Sequence, residues 1–188
     1  TYMGLDLVSP VVASAGPFNR RLDKLIEIEA SGAGAVVLPS LFAEEIEAEA
    51  LAADSVLDTG DAFAEFDSAP LAGLSVSGTA SADRYVELVG DAAEALSIPV
   101  IASLNGARPG DWARYGRLLS DAGADGLELN LYDVAADPAL TAADVEDRHL
   151  AVVAEVREAV GGLPLALKIS PYLSSLANFA PRARAAGA

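Results

Sequence analysis

The feature that most constrains this chain is a pair of helix-to-strand junctions that alternate along it. One kind reads Glu29-Ala-Ser-Gly-Ala-Gly-Ala-Val-Val-Leu38, then Ser120-Asp-Ala-Gly-Ala-Asp-Gly-Leu-Glu-Leu129, then Arg184-Ala-Ala-Gly-Ala188. The other reads Glu94-Ala-Leu-Ser-Ile-Pro-Val-Ile-Ala102, then Glu158-Ala-Val-Gly-Gly-Leu-Pro-Leu-Ala-Leu167. Gly123 and Gly187 stand 64 residues apart, and Pro99 and Pro164 stand 65 apart. A fixed period with one junction per unit is the mark of repeated βα units. Glycine suits a helix end because it accepts the left-handed conformation, and proline suits a strand start because its missing N–H costs least there.

The segments between junctions have helical periodicity. Tyr85, Val86, Val89, Ala92, Ala93 and Leu96 share a face, as do Trp112, Tyr115, Leu119 and Ala122. A third stripe contains Val145, His149, Val152, Val153, Val156 and Val160, and Thr141 followed by Asp144 resembles a capping box. The predicted strands are short apolar runs, as expected where both sheet faces are covered: Val11–Ala15, Ala35–Leu38, Pro99–Leu104, Gly126–Leu131 and Leu165–Ile169. Units of this kind build a parallel α/β sheet, either doubly wound or a (β/α)8 barrel. Five strands in 188 residues fall short of the eight a barrel needs, so the chain reads as one barrel domain over 1–188, truncated at its C-terminus. An open five-stranded piece is expected to expose edges that further strands cover.

Composition narrows the partners. A net charge of −16 argues against nucleic acid or an anionic membrane surface. The absence of Cys removes disulfides, thiolate metal sites and a cysteine nucleophile, and one His removes multi-histidine sites. No apolar run reaches the roughly 20 residues needed to cross a bilayer. The expected setting is a cytoplasmic domain acting on a small molecule.

Residues 41–80 interrupt the rhythm after strand two. They open with the acidic run Glu44-Glu-Ile-Glu-Ala-Glu49 and close with Gly73-Leu-Ser-Val-Ser-Gly78. An insertion at a strand's C-terminal end lies on the face where such folds place active sites, and is read as a substrate lid or a surface decoration.

Polar residues at C-terminal strand ends need a reason in a buried sheet. They are Ser14, Ser40, Ser103, Asn105, Asn130 and Lys168. Lys168, one of only two lysines, sits inside the apolar run Leu165-Ala-Leu-Lys-Ile169. A buried ammonium is costly without an anionic partner. Three readings are open: it stabilises a cofactor anion, forms a Schiff base as in barrel aldolases, or pairs with a carboxylate such as Glu128. Asn130 carries donors and an acceptor suited to a heterocycle edge, or caps a loop. His149, on an apolar helix face, reads as a packed core residue.

These residues also carry a family resemblance. Gly4-Leu-Asp-Leu-Val-Ser-Pro-Val-Val-Ala-Ser-Ala-Gly16 resembles the opening of the class 1 dihydroorotate dehydrogenases, in which a short hairpin closes the barrel floor and a small-residue turn meets the flavin. Val36-Val-Leu-Pro-Ser-Leu-Phe42, Val100-Ile-Ala-Ser-Leu-Asn-Gly106, Leu127-Glu-Leu-Asn-Leu131 and Leu167-Lys-Ile-Ser-Pro-Tyr172 are similar to its next four strands in order. The resemblance implies an FMN-binding (β/α)8 TIM barrel, a homodimer, and an oxidoreductase of pyrimidine biosynthesis. By position, Ala15, Ser40, Ser103, Asn130 and Lys168 would line the flavin, with Lys168 near its N1 and O2. Departures fall on the substrate side. The family's Cys base is Asp133 here, its second substrate Asn is Ala135, its Lys after strand two is Pro39, and its lid Asn aligns near Val76. The resemblance therefore implies a flavoprotein with Asp133 as the candidate base and with most orotate-recognising amides replaced. A Schiff-base barrel and a degenerate binding barrel remain the alternatives.

Overall fold

A computed structural model describes residues 1–42, 46, 80–105, 110–132 and 134–188. Five strands form one parallel sheet in sequence order: β1 (Val12–Ala13), β2 (Ala35–Phe42), β3 (Val100–Asn105), β4 (Gly126–Leu131) and β5 (Leu165–Ile169). Between them run α1 (Leu22–Ala30), α2 (Ala80–Ala95), α3 (Asp111–Asp121) and α4 (Ala142–Val160), and α5 (Leu176–Ala186) follows β5. A 3₁₀ turn, Pro17–Arg20, precedes α1. This is a half-barrel of the (β/α)8 type. Parallel strands in sequence order, each returned by a helix, curl one face inward and leave the other to the helices.

The junction signals act as their chemistry requires. Gly32, Gly123 and Gly187 have φ of 92°, 100° and 120°, so each ends its helix in the region closed to most side chains. Thr141 Oγ1 accepts from the Asp144 N–H while Asp144 accepts from Thr141 N–H, completing the capping box of α4. The Thr141 hydroxyl, donating to Asp144 Oδ2 at 2.6 Å, and then the Thr141 N–H hold the exposed Asp144 carboxyl below its ordinary range.

Alternation along the strands separates two cores. Val36, Leu38, Val100, Ala102, Leu104, Leu127, Leu129, Leu131 and Leu165 pack against the helices. On the inner face, Ala35, Val37 and Ile101 pack with Met3, Leu7, Val12 and Ala15. A tight turn at the N-terminus, closed by Tyr2–Leu5 backbone bonds of 3.0 and 2.8 Å, places Met3 there. The inner face is thus apolar toward the strands' N-terminal ends.

Two strand limits differ from the sequence reading. β1 is only Val12–Ala13, and β2 runs on through Pro39 to Phe42. The ladder between β2 and β3 shifts register between Val37 and Ser40, a break that accommodates a residue with no N–H to donate.

Candidate functional site

Above the apolar floor, the inner face turns polar at the C-terminal strand ends. Ser40 and Ser103 are register partners, and their hydroxyl oxygens lie 2.8 Å apart. Ser103 Oγ donates to Glu128 Oε1 at 3.3 Å, and Lys168 Nζ donates to the same oxygen at 2.7 Å. Asn130 lies two residues beyond Glu128, opposite Lys168 in the β4–β5 register. Side chains two apart on a strand share a face, so four strands deliver one continuous row: Ser40, Ser103, Glu128, then Lys168 and Asn130.

The row is closed at one end and open at the other. Ser103 is fully buried, and the Glu128 side chain is 15% exposed with two donors on one oxygen. The Oδ1 of Asn130 is buried with no hydrogen-bond partner among the described residues. A buried amide oxygen left unpaired costs about 1–3 kcal/mol.

Lys168 corrects an expectation. It is not a buried cation: its side chain is 44% exposed, and Glu128 already balances its charge. The reason is its place on β5, which has a strand neighbour only on the β4 side among the described residues. The cost of burial therefore demands no cofactor anion, and the carboxylate pair with Glu128, one of the three readings, is present. Nor does Nζ stand as a free amine. Two of its three N–H groups remain for another acceptor.

Ala15 packs on the inner apolar cluster below the row, and Ser14 is exposed. Asp133 lies outside the described residues; its neighbours Tyr132 and Val134 are exposed, at 52% and 79%. The 41–80 lid also lies outside them, apart from Leu41, Phe42, Ile46 and Ala80. His149 is buried, with its ring edge-on to Phe179 at 6.3 Å, as a packed core residue would be.

Two supporting residues carry no distinctive sequence signal. Asn19 is 3% exposed, and its amide donates to Ser14 O at 3.0 Å and Val37 O at 2.7 Å, tying the turn after β1 to β2. Tyr85 sits where the β2–β3 ladder breaks. Its Oη accepts from Ser103 N–H at 2.9 Å and donates to Ser103 O at 3.3 Å. Periodicity assigns Tyr85 only to a helix face, and its target Ser103 lies 18 residues away.

Comparison with known proteins supports the barrel fold. No family model matches the chain. A curated Aeropyrum pernix protein named "Putative dihydroorotate dehydrogenase A (fumarate)" is 32% identical over 111 residues, covering 54% of this chain and 33% of that protein. Among solved structures, a "putative lyase/mutase" from Burkholderia cenocepacia aligns with TM-score 0.55 and 21% identity over 96% of this chain and 59% of its own. A 2,3-dimethylmalate lyase of the PEP mutase/isocitrate lyase superfamily aligns with TM-score 0.51 and 17% identity over 97% and 57%. The chain thus spans about a third of the curated relative's length and less than two thirds of these structures. At these identities the two solved structures speak for the barrel architecture alone.

Proposed function

We propose that this chain forms the flavin-facing strands of an FMN-dependent oxidoreductase resembling dihydroorotate dehydrogenase. The observation that carries the reading is the unpaired, buried Oδ1 of Asn130 beside Lys168 at adjacent strand ends. An acceptor next to a cation fits a heterocycle that offers a ring N–H and an electron-rich edge. FMN, when bound, supplies a two-electron acceptor. Asn130 would take the ring N–H, and Lys168 would set positive charge against the edge that becomes anionic on reduction. Ser40 and Ser103 would hold the row's geometry, and the small side chain at Ala15 would leave room for a flat ring. The partial match to the Aeropyrum pernix protein supports the same reading.

The substrate in this proposal is a small, pyrimidine-like molecule, and Asp133, two residues past β4, is the base that takes its proton. The replaced substrate residues point away from efficient dihydroorotate oxidation. A misplaced or missing base alone costs about 10²- to 10⁴-fold in rate. The test is to titrate the purified protein with FMN by fluorescence quenching, then add dihydroorotate without oxygen. Saturable quenching and slow bleaching are expected. No FMN binding would defeat the reading, and rapid bleaching would defeat its substrate half. Borohydride trapping of a carbonyl compound on Lys168 would instead establish Schiff-base chemistry.

A further inference from the structure

Lys168 meets its carboxylate by a diagonal reach. In the β4–β5 register Lys168 lies opposite Asn130, while Glu128 lies opposite Ala166, two residues back along β5. Lys168 Nζ nevertheless donates to Glu128 Oε1 at 2.7 Å. A long side chain touches such a diagonal neighbour by leaning across the sheet instead of standing out from it.

The carboxylate that receives it is fixed from the other side. Ser103, the register partner of Glu128, donates its hydroxyl to the same Oε1 at 3.3 Å. Ser103 is fully buried, its hydroxyl lies 2.8 Å from that of Ser40, and Tyr85 Oη bonds both of its backbone groups. The Glu128 side chain is 15% exposed, against 44% for Lys168. The anion is therefore the anchored member of the pair and the cation the looser one.

Among the described residues Lys168 has no second anchor. Glu128 is the one group its Nζ bonds, and β5 has a strand neighbour only on the β4 side. A hydrated ammonium on a flexible four-carbon stem turns to water when nothing holds it. Exposed pairs add little to stability, so what this contact decides is where the ammonium sits.

We propose that Glu128 is the positioning residue for Lys168. It acts through the ammonium, holding it in the polar row, where the electron-rich edge of a ligand beside Asn130 would meet it. The identity of that ligand rests on the flavin reading; the role of Glu128 rests on the 2.7 Å contact alone.

The experiment has a flavin-free arm and an FMN arm. The chain has two lysines, so mass spectrometry reads each separately after brief labelling with acetic anhydride. Lys24, on its own pair with Glu27, is the internal reference. Glu128→Gln keeps the size and an acceptor oxygen, but an amide holds an ammonium less well than a carboxylate does. Glu158→Gln, exposed in the last turn of α4, is the control. Labelling of Lys168 relative to Lys24 is expected to rise about two- to fivefold in Glu128→Gln, the range that loss of an exposed pair commands, and to stay at the wild-type ratio in Glu158→Gln.

FMN is then titrated by fluorescence quenching into wild type, Glu128→Gln, Lys168→Met and the double variant. Removing a negative charge would by itself tighten binding of an electron-rich edge, whereas losing the position of Lys168 weakens it. Glu128→Gln is expected to weaken binding about 2- to 12-fold, as loss of one hydrogen bond implies, and to add no weakening once Lys168 is Met. Unchanged labelling of Lys168 in Glu128→Gln, tighter FMN binding, or equal weakening in both backgrounds would overturn the proposal. A wild type that binds no FMN would defeat the flavin reading, and the labelling ratio would then decide the role of Glu128 by itself.

Discussion

Tyr85 Oη holds both backbone groups of Ser103, accepting its N–H at 2.9 Å and donating to its carbonyl at 3.3 Å. Ser103 is fully buried, and the ladder toward β2 is broken beside it. A side chain from α2 therefore does the work of a missing strand residue. It also fixes the backbone that carries the Ser103 hydroxyl into the polar row. Tyr85→Phe removes one hydroxyl and leaves a buried N–H and a buried C=O unpaired. A loss of about 1–3 kcal/mol is expected from urea unfolding, because the desolvation of the orphaned groups is no longer offset. A loss below about 0.5 kcal/mol would mean that water replaces the hydroxyl.

The same contact gives an alkaline signature. Burial pushes the Tyr85 phenol above its ordinary value of 10.0; the Ser103 bond opposes this and the Glu128 charge adds to it. The folded state thus favours the neutral phenol more than the unfolded state does. Its contribution is fully present below pH 10 and is lost as pH rises from there through the higher folded value. Unfolding followed from pH 9 to 12 is expected to show a steeper loss in the wild type than in Tyr85→Phe. Parallel curves would refute the linkage.

The barrel units were legible because they rest on local chemistry. Gly123 and Gly187 must be left-handed, Thr141 and Asp144 cap each other within one turn, and the apolar runs of β4 and β5 are bounded as read. The side chains of the row were legible as polar residues at strand ends, and Glu128 was legible as one of three possible roles for Lys168, but the remaining partners were not. Whether Glu128 faces inward depends on register, which no local pattern sets, and Lys168 looked buried because its neighbours are apolar. Its exposure follows from the position of β5 in the sheet, a property of topology. Tyr85 and Asn19 act across 18 residues of sequence, and nothing nearby in the chain announces their targets.

Gly34 marks a crossing of two backbones. A Cβ there would lie 2.0 Å from the carbonyl oxygen of Ser9, and the Gly34 N–H donates to Val11 O at 2.7 Å. Gly34→Ala must push the N-terminal segment off the sheet, and with it the inner-face contacts of Met3 and Leu7. A loss of about 2 kcal/mol or more is expected, at the upper end of ordinary overpacking. Gly162→Ala, where a Cβ meets nothing, is the control and should fall within about 0.5 kcal/mol of wild type. Equal stabilities would place the N-terminal segment elsewhere.

Lys168 and Glu128 test the corrected reading of that pair. Lys168 is 44% exposed and Glu128 15%, and Ser103 Oγ stays on the carboxylate when the ammonium goes, so Lys168→Met is expected to cost about 1 kcal/mol in the absence of ligand, at the top of the range for exposed pairs. A truly buried cation and its partner would lose about 3–5 kcal/mol on such a cut. Thermal unfolding at two salt concentrations decides between them, since only the exposed pair weakens appreciably as salt rises.

Asn130 separates a structural amide from one kept for a ligand. If its unpaired Oδ1 serves nothing in the folded chain, replacing the amide with an apolar side chain removes a desolvation cost and no native bond. Asn130→Leu is then expected to be at least as stable as wild type without flavin, yet to bind FMN more weakly. The lost hydrogen bond is worth about 0.5–1.5 kcal/mol, or roughly 2- to 12-fold in dissociation constant. Asn130→Asp keeps the shape and the acceptor but adds a negative charge beside Glu128 and the electron-rich edge. It should weaken binding further and make reduction of the bound flavin harder, which a potentiometric titration reads directly. A variant that unfolds more easily and binds FMN as tightly as wild type would return Asn130 to the scaffold and remove it from the site.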